Sequence, residues 1–482
     1  MTMTRSRVAA PAALLALAAV AYGAGQLLLV PPSLGIGWDE AVYAGQYAAH
    51  APPPLFSAPR ARGVPLLVAP VVMLTDSVPV LRLYLAVMSS LALYAAFAVW
   101  LRVRHDRSVP LAALLFGGCW LSLFYGPQAM PNLYVALAGV ASAGFLVLGG
   151  RSRLAPLGLA GSMAVMSLMR PSDALVAAAV LAVAALAVPG WRRIGSLAGL
   201  AAGLAVGWGQ WSAEAVAAFG GIGARLREAG EHNSAGWTVT VAEHARALDG
   251  PTLCRFGADC GPISPVALLW WLAIPAMAGV GLWAARRDGH LGPMLLAAVC
   301  GVAMALPYLF YVGYAAPRFL LPAYALLALP VAGAVTALTV TAQPGWPATT
   351  AAPPAVRGLA VVVAAGVLAH LALHGAVAHR MAAINVKVRE EVRLAAEGLR
   401  ARGVRPPCMI YGESAVQIGY LIGCDSQGIV RRFGERPAAR VSRALTRGDR
   451  VVVVYGEVRP PSYVAAWPGG DLPGGLRAHF AP

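Results

Sequence analysis

Residues 8–30 read VAAPAALLALAAVAYGAGQLLLV, and after a short Pro-containing link residues 37–50 read GWDEAVYAGQYAAH. The first run carries no charge and exceeds the roughly 20 apolar residues that cross a bilayer. Arg5 and Arg7 precede it, as in a signal peptide. No small-residue cleavage site ends the run, so it reads as an uncleaved first spanning helix. The second stretch sets two adjacent acids, Asp39 and Glu40, directly beyond that helix. The chain has only 21 Asp and Glu among 482 residues, so the pair stands out.

The whole chain resembles its first 30 residues. It is 59% hydrophobic and 12% charged, with a mean hydropathy of +0.66. A soluble fold would run out of polar side chains for its surface. The composition therefore predicts a polytopic α-helical membrane protein and excludes a disordered, fibrous or soluble nucleic-acid-binding chain. Spanning candidates fall at 8–30, 79–101, 109–127, 130–149, 154–170, 173–189, 194–212, 265–285, 291–312, 318–340 and 358–378, which gives about 11 transmembrane helices. The runs 109–127 and 154–170 are short for a full crossing, and a partly re-entrant path is the alternative for each.

The net charge of +16 follows from arginine placement. Nearly every cation is Arg, Lys387 being the one Lys, and with the Ala and Gly excess this reads as the coding bias of a GC-rich, bacterial genome. With a cytoplasmic N-terminus, the short inner loops hold Arg102, Arg104 and Arg107; Arg151 and Arg153; Arg192 and Arg193; Arg286 and Arg287; and Arg357. That is the positive-inside pattern, and it needs no nucleic acid. The opposite side then receives the long segments 31–78, 213–264 and everything after 379. The Pro/Ala/Thr-rich stretch 341–356 reads as an irregular inner linker.

Cys254, Cys260, Cys408 and Cys424 all fall on the outer face, where two disulfides, 254–260 and 408–424, or unpaired thiols are the alternatives. Cys119 and Cys300 lie within helices as small apolar fillers. Residues 1–379 form a transmembrane domain, and 380–482 read as a separate extracytoplasmic α/β domain of the cell envelope. There 384–402 has helical periodicity, with Ile384, Val388, Val392, Ala395 and Leu399 along one side. CMIYG at 408–412 and DRVVVVYGEV at 449–458 read as strands, with helices at 414–422 and 437–446. The Tyr-Gly-Glu sequences at 411–413 and 455–457 predict two strand ends side by side on one sheet edge.

Asp39 sits where a carboxylate can cap a short helix, and Tyr43 and Tyr47, four apart, would share one of its faces. A capped helix with an interfacial aromatic belt is one reading of 37–50; a reactive acidic pair is the other. Among the histidines, His370 and His374 have metal-ligand spacing but no acidic partner. His232 and His244, each after a Glu, read first as a solvated loop and second as metal or acceptor contacts. The segment 214–230 reads as two helices broken by Gly220, Gly221 and Gly223.

An acidic pair in the first outer loop resembles the GT-C superfamily of membrane glycosyltransferases, among them protein O-mannosyltransferases and aminoarabinose transferases (family 39-like). Three further stretches resemble the same class: RGVPLLVAPVVMLTDSVPVLRLYLAV at 62–87, LMRPSDALV at 168–176 and APRFLLPAYALLALP at 316–330. The resemblance implies a GT-C-like fold and sugar transfer outside the membrane from a polyprenyl-phosphate donor to a glycan, lipid or protein hydroxyl, with inversion. It assigns the general base to Asp39. Glu40 then orients the acceptor or Asp39, or binds a divalent metal; no other cofactor is implied. An anionic lipid phosphate needs cationic donors, and the candidates are Arg318, Arg82, Arg170 and Arg60. Tyr43 and Tyr47 would face the acceptor or the interface. Two other readings stand beside this one: a non-catalytic GT-C-like membrane protein that binds a glycan or partner, and a transporter. The transporter is disfavoured because no two-half repeat is visible and the ionisable residues gather at the outer helix ends.

Overall fold

Every one of the eleven apolar runs is helical in the computed structural model, which describes residues 3–339, 354–429 and 432–482. The linker read at 341–356 lies almost wholly outside the described residues, as do the side chains of Arg5, Arg7 and Arg357. Among the described residues, 7 helices are long and apolar enough to cross a membrane: Ala10–Leu29, Val78–Leu101, Pro131–Leu148, Pro265–Arg287, Leu291–Phe310, Pro317–Thr339 and Gly358–Ala401. Ala155–Met169 and Pro171–Ala187 are shorter apolar helices. They meet at Arg170, whose extended backbone (φ −150°, ψ 98°) breaks the path before Pro171.

The run 109–127 is not one helix. It forms Ser108–Gly117 and Trp120–Tyr125, separated at Gly118 and Cys119. Tandem glycines weaken the helix here, and a Cβ at Gly118 would lie 2.3 Å from the tip of the Leu371 side chain, which would have to move aside. The break leaves the Trp120 amide without an intrahelical acceptor, and His374 Nδ1 accepts it at 3.2 Å. His370 accepts from the Trp270 indole at 3.0 Å and pairs with the Leu115 carbonyl at 2.9 Å. The two histidines thus join helices to one another.

At one end of the bundle Arg104 pairs with Asp106 and, at 3.2 Å, with Asp288, which brings two of the basic loops together. The opposite end carries the first loop, the helix Ile222–His232 and the C-terminal sheet. Gly220 and Gly221 (φ +75° and +117°) turn the chain between Ile194–Ala218 and Ile222–His232, a backbone region that favours glycine.

The predicted segments 358–378 and 384–402 are a single helix, Pro354–Ala401, that runs from the bundle into the C-terminal sheet. Its predicted stripe divides accordingly. Val392, Ala395 and Leu399 are buried against the sheet, whereas Ile384 and Val388 are exposed below it. Two short strands, β1 (Cys254–Arg255) and β2 (Tyr314–Ala315), pair antiparallel beside the bundle. The C-terminal sheet contains β3 (Cys408–Gly412), β4 (Asp425–Gly428), β5 (Arg450–Tyr455), β6 (Gly469–Asp471) and β7 (Arg477–Phe480) in the order β4-β3-β5-β7-β6. β3 is parallel to both β4 and β5, and β7 is antiparallel to β5 and β6. Side-chain alternation sends Cys408, Ile410, Val452 and Val454 to one face, against Pro354–Ala401 and Ala415–Ile422. Met409, Tyr411, Val451 and Val453 go to the other, against Ala439–Arg447. The two Tyr-Gly-Glu ends are neighbours, and Glu413 accepts from the amides of Gly456 and Val458 at 3.0 and 2.6 Å. Disulfides join Cys254 to Cys260 and Cys408 to Cys424, and Cys119 and Cys300 are buried free thiols.

Candidate active site

The first loop folds as the short helix Trp38–Ala44, flanked by Gly63–Val72. Its cap is Gly37 rather than Asp39, and Glu40, three residues on, reaches back to accept from the Gly37 amide at 2.9 Å. The helix ends at Ala44, so Tyr47 leaves the face that Tyr43 occupies: Tyr43 lines a cleft, while Tyr47 is exposed outside it. The two adjacent acids enter different surroundings, being about 100° apart around the helix.

Glu40 is 2% exposed in its side chain and enclosed by cations. Arg82 engages both of its oxygens, Arg389 donates to Oε2 at 2.9 Å, and the Ala129 amide donates to Oε1 at 2.9 Å. Burial alone would raise this carboxyl, but Arg82 and Arg389 outweigh it and hold it at about 2. Arg82, 1% exposed, spends all of its five N–H donors on the carbonyls of Leu34, Gly35 and Pro127 and on Glu40. The expectation that Arg82 is free to hold a phosphate is therefore corrected: it has no donor to offer and lies outside the cleft lining. Glu40 likewise has no lone pair to spare for an acceptor or a metal.

Asp39 faces the cleft and is 33% exposed in its side chain. Arg60 Nη2 donates to Oδ1 at 2.7 Å, and Arg318 Nη2 to Oδ2 at 3.3 Å. Desolvation opposes ionisation, yet Arg60 and then Arg318 overcome it, so the carboxyl stays below its ordinary range. Arg60 is fixed by Ser57 Oγ at 3.0 Å and by the Tyr43 ring, 4.9 Å from its guanidinium. Arg170 lies over the rings of Tyr308 and Phe319 and pairs with Asp173 at 3.4 Å. The cleft thus gathers Asp39, Tyr43, Arg60, Arg170 and Arg318 from separate parts of the chain, and adds His232, Asn132 and Tyr314. His232 ends the helix Ile222–His232, exposed as expected but at the cleft rim; partial desolvation, and then Arg60, push its imidazole down.

Behind the cleft a second arginine network fixes the loop that bears Arg60. Arg225, fully buried between Trp211 and Phe219, donates to the carbonyls of Ala58, Arg60 and Trp211 and to Glu214. Arg62 joins Glu214 and Gln46. The C-terminal sheet closes over the first loop from above. A Cβ at Gly428 would lie 1.8 Å from the Trp38 ring, and His50 Nε2 pairs with the Tyr420 carbonyl at 2.8 Å. Among the described residues no group of three or more His, Cys, Asp or Glu side chains is placed to hold a metal ion.

No protein-family model matches the sequence, and the search of curated proteins finds no match. Solved structures do match. ArnT from Cupriavidus metallidurans bound to undecaprenyl phosphate superposes with a TM-score of 0.64 at 13% identity, covering 96% of this chain and 97% of that one. The apo state of the same protein gives a TM-score of 0.60 at 14% identity over the same shares. An oligosaccharyltransferase from Archaeoglobus fulgidus, in complex with Zn and sulfate, gives 0.53 at 11% identity and covers 91% of this chain and 67% of that one.

Proposed function

From this GT-C-like membrane fold, shared along nearly the whole chain with ArnT, we propose that the protein is an inverting glycosyltransferase using a polyprenyl-phosphate-linked sugar. The observation that carries the reading is the pairing of one cleft-facing carboxylate with two arginines, Asp39 with Arg60 and Arg318. That arrangement offers a base and a phosphate cradle within one side chain's length of each other. ArnT, solved with undecaprenyl phosphate bound, supports the donor class.

In the proposed reaction the lipid phosphate displaces Asp39 from the two guanidinium groups, which suit phosphate through their planar forks. Arg170, fixed by its two aromatic neighbours, adds a third cation. Losing its cationic partners raises the basicity of Asp39 at the moment a base is needed. Asp39 takes the acceptor hydroxyl proton, the acceptor oxygen bonds to the anomeric carbon, and the bond from that carbon to the phosphate oxygen breaks. The electron pair leaves with the lipid phosphate, and configuration inverts. Glu40, Arg82 and Arg389 hold the helix that presents Asp39 and touch no substrate. The basic loops at the far end of the bundle, and two disulfides near the cleft end, support an extracytoplasmic cleft and a cytoplasmic N-terminus.

The test is sugar release from a panel of polyprenyl-phosphate sugars by protein in lipid nanodiscs, beside Asp39→Asn and Arg318→Ala. Turnover by the parent, lost in Asp39→Asn and strongly reduced in Arg318→Ala, is expected. Equal turnover by parent and Asp39→Asn would remove Asp39 as the base.

A further inference from the structure

One cleft residue has no part in the scheme above. Asn132 opens the helix Pro131–Leu148, forms part of the cleft wall and is 1% exposed. Among the described residues neither its amide nitrogen nor its amide oxygen has a hydrogen-bond partner. Leaving such a buried group unpaired is costly, because it has given up its hydrogen bonds to water. Arg318 Nε, in the same wall, is also buried without a partner.

The chemistry of the two orphaned groups differs. A guanidinium N–H asks for an acceptor, which a phosphate supplies. A carboxamide asks for both an acceptor and a donor. Neither a phosphodiester nor the dianionic monoester that dominates at neutral pH has a hydrogen to donate, so a phosphate can satisfy the Asn132 nitrogen but not its oxygen. A sugar hydroxyl satisfies both, because it donates and accepts through one atom. In a polyprenyl-phosphate sugar the pyranose is the group covalently next to the phosphate that Arg60 and Arg318 would hold.

Resting on the glycosyltransferase reading, we propose that Asn132 is the sugar-reading residue of this cleft: its carboxamide pairs with a ring hydroxyl of the donor and separates the loaded lipid from the bare lipid phosphate. A site built to hydrogen-bond a hydroxyl rejects a ligand lacking it, because its own buried groups are then left unpaired. The device also carries a stability signature. An apolar residue of similar size removes the unpaired amide from the unliganded protein, so Asn132→Leu should melt at or above the parent temperature.

The experiment measures binding, without acceptor, of undecaprenyl phosphate and of its mannose, glucose and galactose derivatives to the parent, Asn132→Ala and Asn132→Leu in nanodiscs. Melting temperatures are recorded alongside. The expected result is a tenfold to hundredfold loss of affinity for the preferred sugar-bearing lipid in both variants. Affinity for undecaprenyl phosphate stays within about twofold, and Asn132→Leu is no less stable than the parent. Equal loss for both lipids would make Asn132 a phosphate contact and overturn the proposal. No loss for either, or a lowered melting temperature in Asn132→Leu, would make it structural and also overturn it. Failure of the parent itself to bind any of these lipids would instead sink the glycosyltransferase reading on which the inference rests.

Discussion

Asp39 and Glu40 are neighbours of the same charge, and the structure predicts opposite consequences for neutralising each. Glu40→Gln leaves the guanidinium groups of Arg82 and Arg389 facing each other in a closed space without their counter-charge. Removing one member of a buried ion pair typically costs about 3–5 kcal/mol, because the remaining charge stays desolvated. Proton linkage gives a similar size. A carboxyl held at about 2 rather than its ordinary 4.5 contributes on the order of 3 kcal/mol at neutral pH. Since the folded value is the depressed one, that contribution is present above pH 4.5 and fades as pH falls toward 2. Asp39→Asn also leaves two arginines without their counter-charge, but at a carboxylate 33% exposed to the cleft, where solvent screens them, so it costs less than Glu40→Gln. In thermal-shift assays on detergent-solubilised protein, Glu40→Gln is expected to melt roughly 3–5 °C below the parent. Asp39→Asn should melt within about 2 °C of the parent and be inactive in sugar transfer. A Glu40→Gln protein with the parent melting temperature and no turnover would refute this division of labour, since Glu40 would then be acting on substrate.

Three further outcomes follow from the same geometry. Arg225→Ala removes the bonds to the carbonyls of Ala58 and Arg60, so kcat/KM for the donor should fall about tenfold or more, and Arg225→Lys should not restore it, because an ammonium cannot span the fork; parent-like kinetics in either variant would show that Arg60 needs no such support. With Asp39 held below its ordinary range near 3.8, and the ionised form being the base, the acid limb of the free-enzyme kcat/KM profile should fall only below about pH 4, whereas a limb near pH 6 would indicate a different base. Replacing Cys408 and Cys424 together by Ser opens a closed loop with a sequence separation of 16, which chain entropy values at about 3 kcal/mol; limited proteolysis should then cut residues 404–482 before the bundle, and an unchanged cleavage pattern would count against a stapling role.

The parts of the fold visible in the sequence were those set by local pattern. Apolar runs marked the spanning helices, β-branched runs marked β3 and β5, and the acidic pair after the first helix marked the loop that bears Asp39. What stayed hidden depended on partners far along the chain. Glu40 and Arg82 are 42 residues apart, and Glu40 and Arg389 are 349 apart, so nothing local distinguished a saturated arginine from an available one. The strand β4, Asp-Ser-Gln-Gly, has no β-branched residue and is a strand only because β3 pairs with it. The break at Gly118 has its local cause in two consecutive glycines inside a spanning run, although the His374 that caps the freed Trp120 amide lies on another helix. His232 carried a weak signal in its Glu-His dipeptide, but its place at the cleft rim near Arg60 arises from the fold of the loop 213–264.

The charge count of the cleft argues for the proposed donor on grounds separate from the resemblance. The lining holds three arginines, Arg60, Arg170 and Arg318; its one lining acid is Asp39, and Asp173 is bound to Arg170 just behind it. With His232 pushed toward its neutral form, the unliganded set carries one surplus positive charge. A polyprenyl-phosphate sugar is a phosphodiester with a single negative charge, and its arrival brings the sum to zero. Transfer then releases a phosphomonoester, which carries close to two negative charges at neutral pH. In the proposed step Asp39 would at the same time gain the acceptor proton and lose its own charge. The sum is again zero, so the reaction proceeds without leaving uncompensated charge in a partly desolvated cleft, where such charge is costly. A pyrophosphate-linked donor would bring an additional negative charge that this set does not match. Adding a carboxylate through Asn132→Asp should therefore weaken binding of undecaprenyl phosphate more than Asn132→Ala does, which separates electrostatic matching from the hydrogen-bond reading of the same residue.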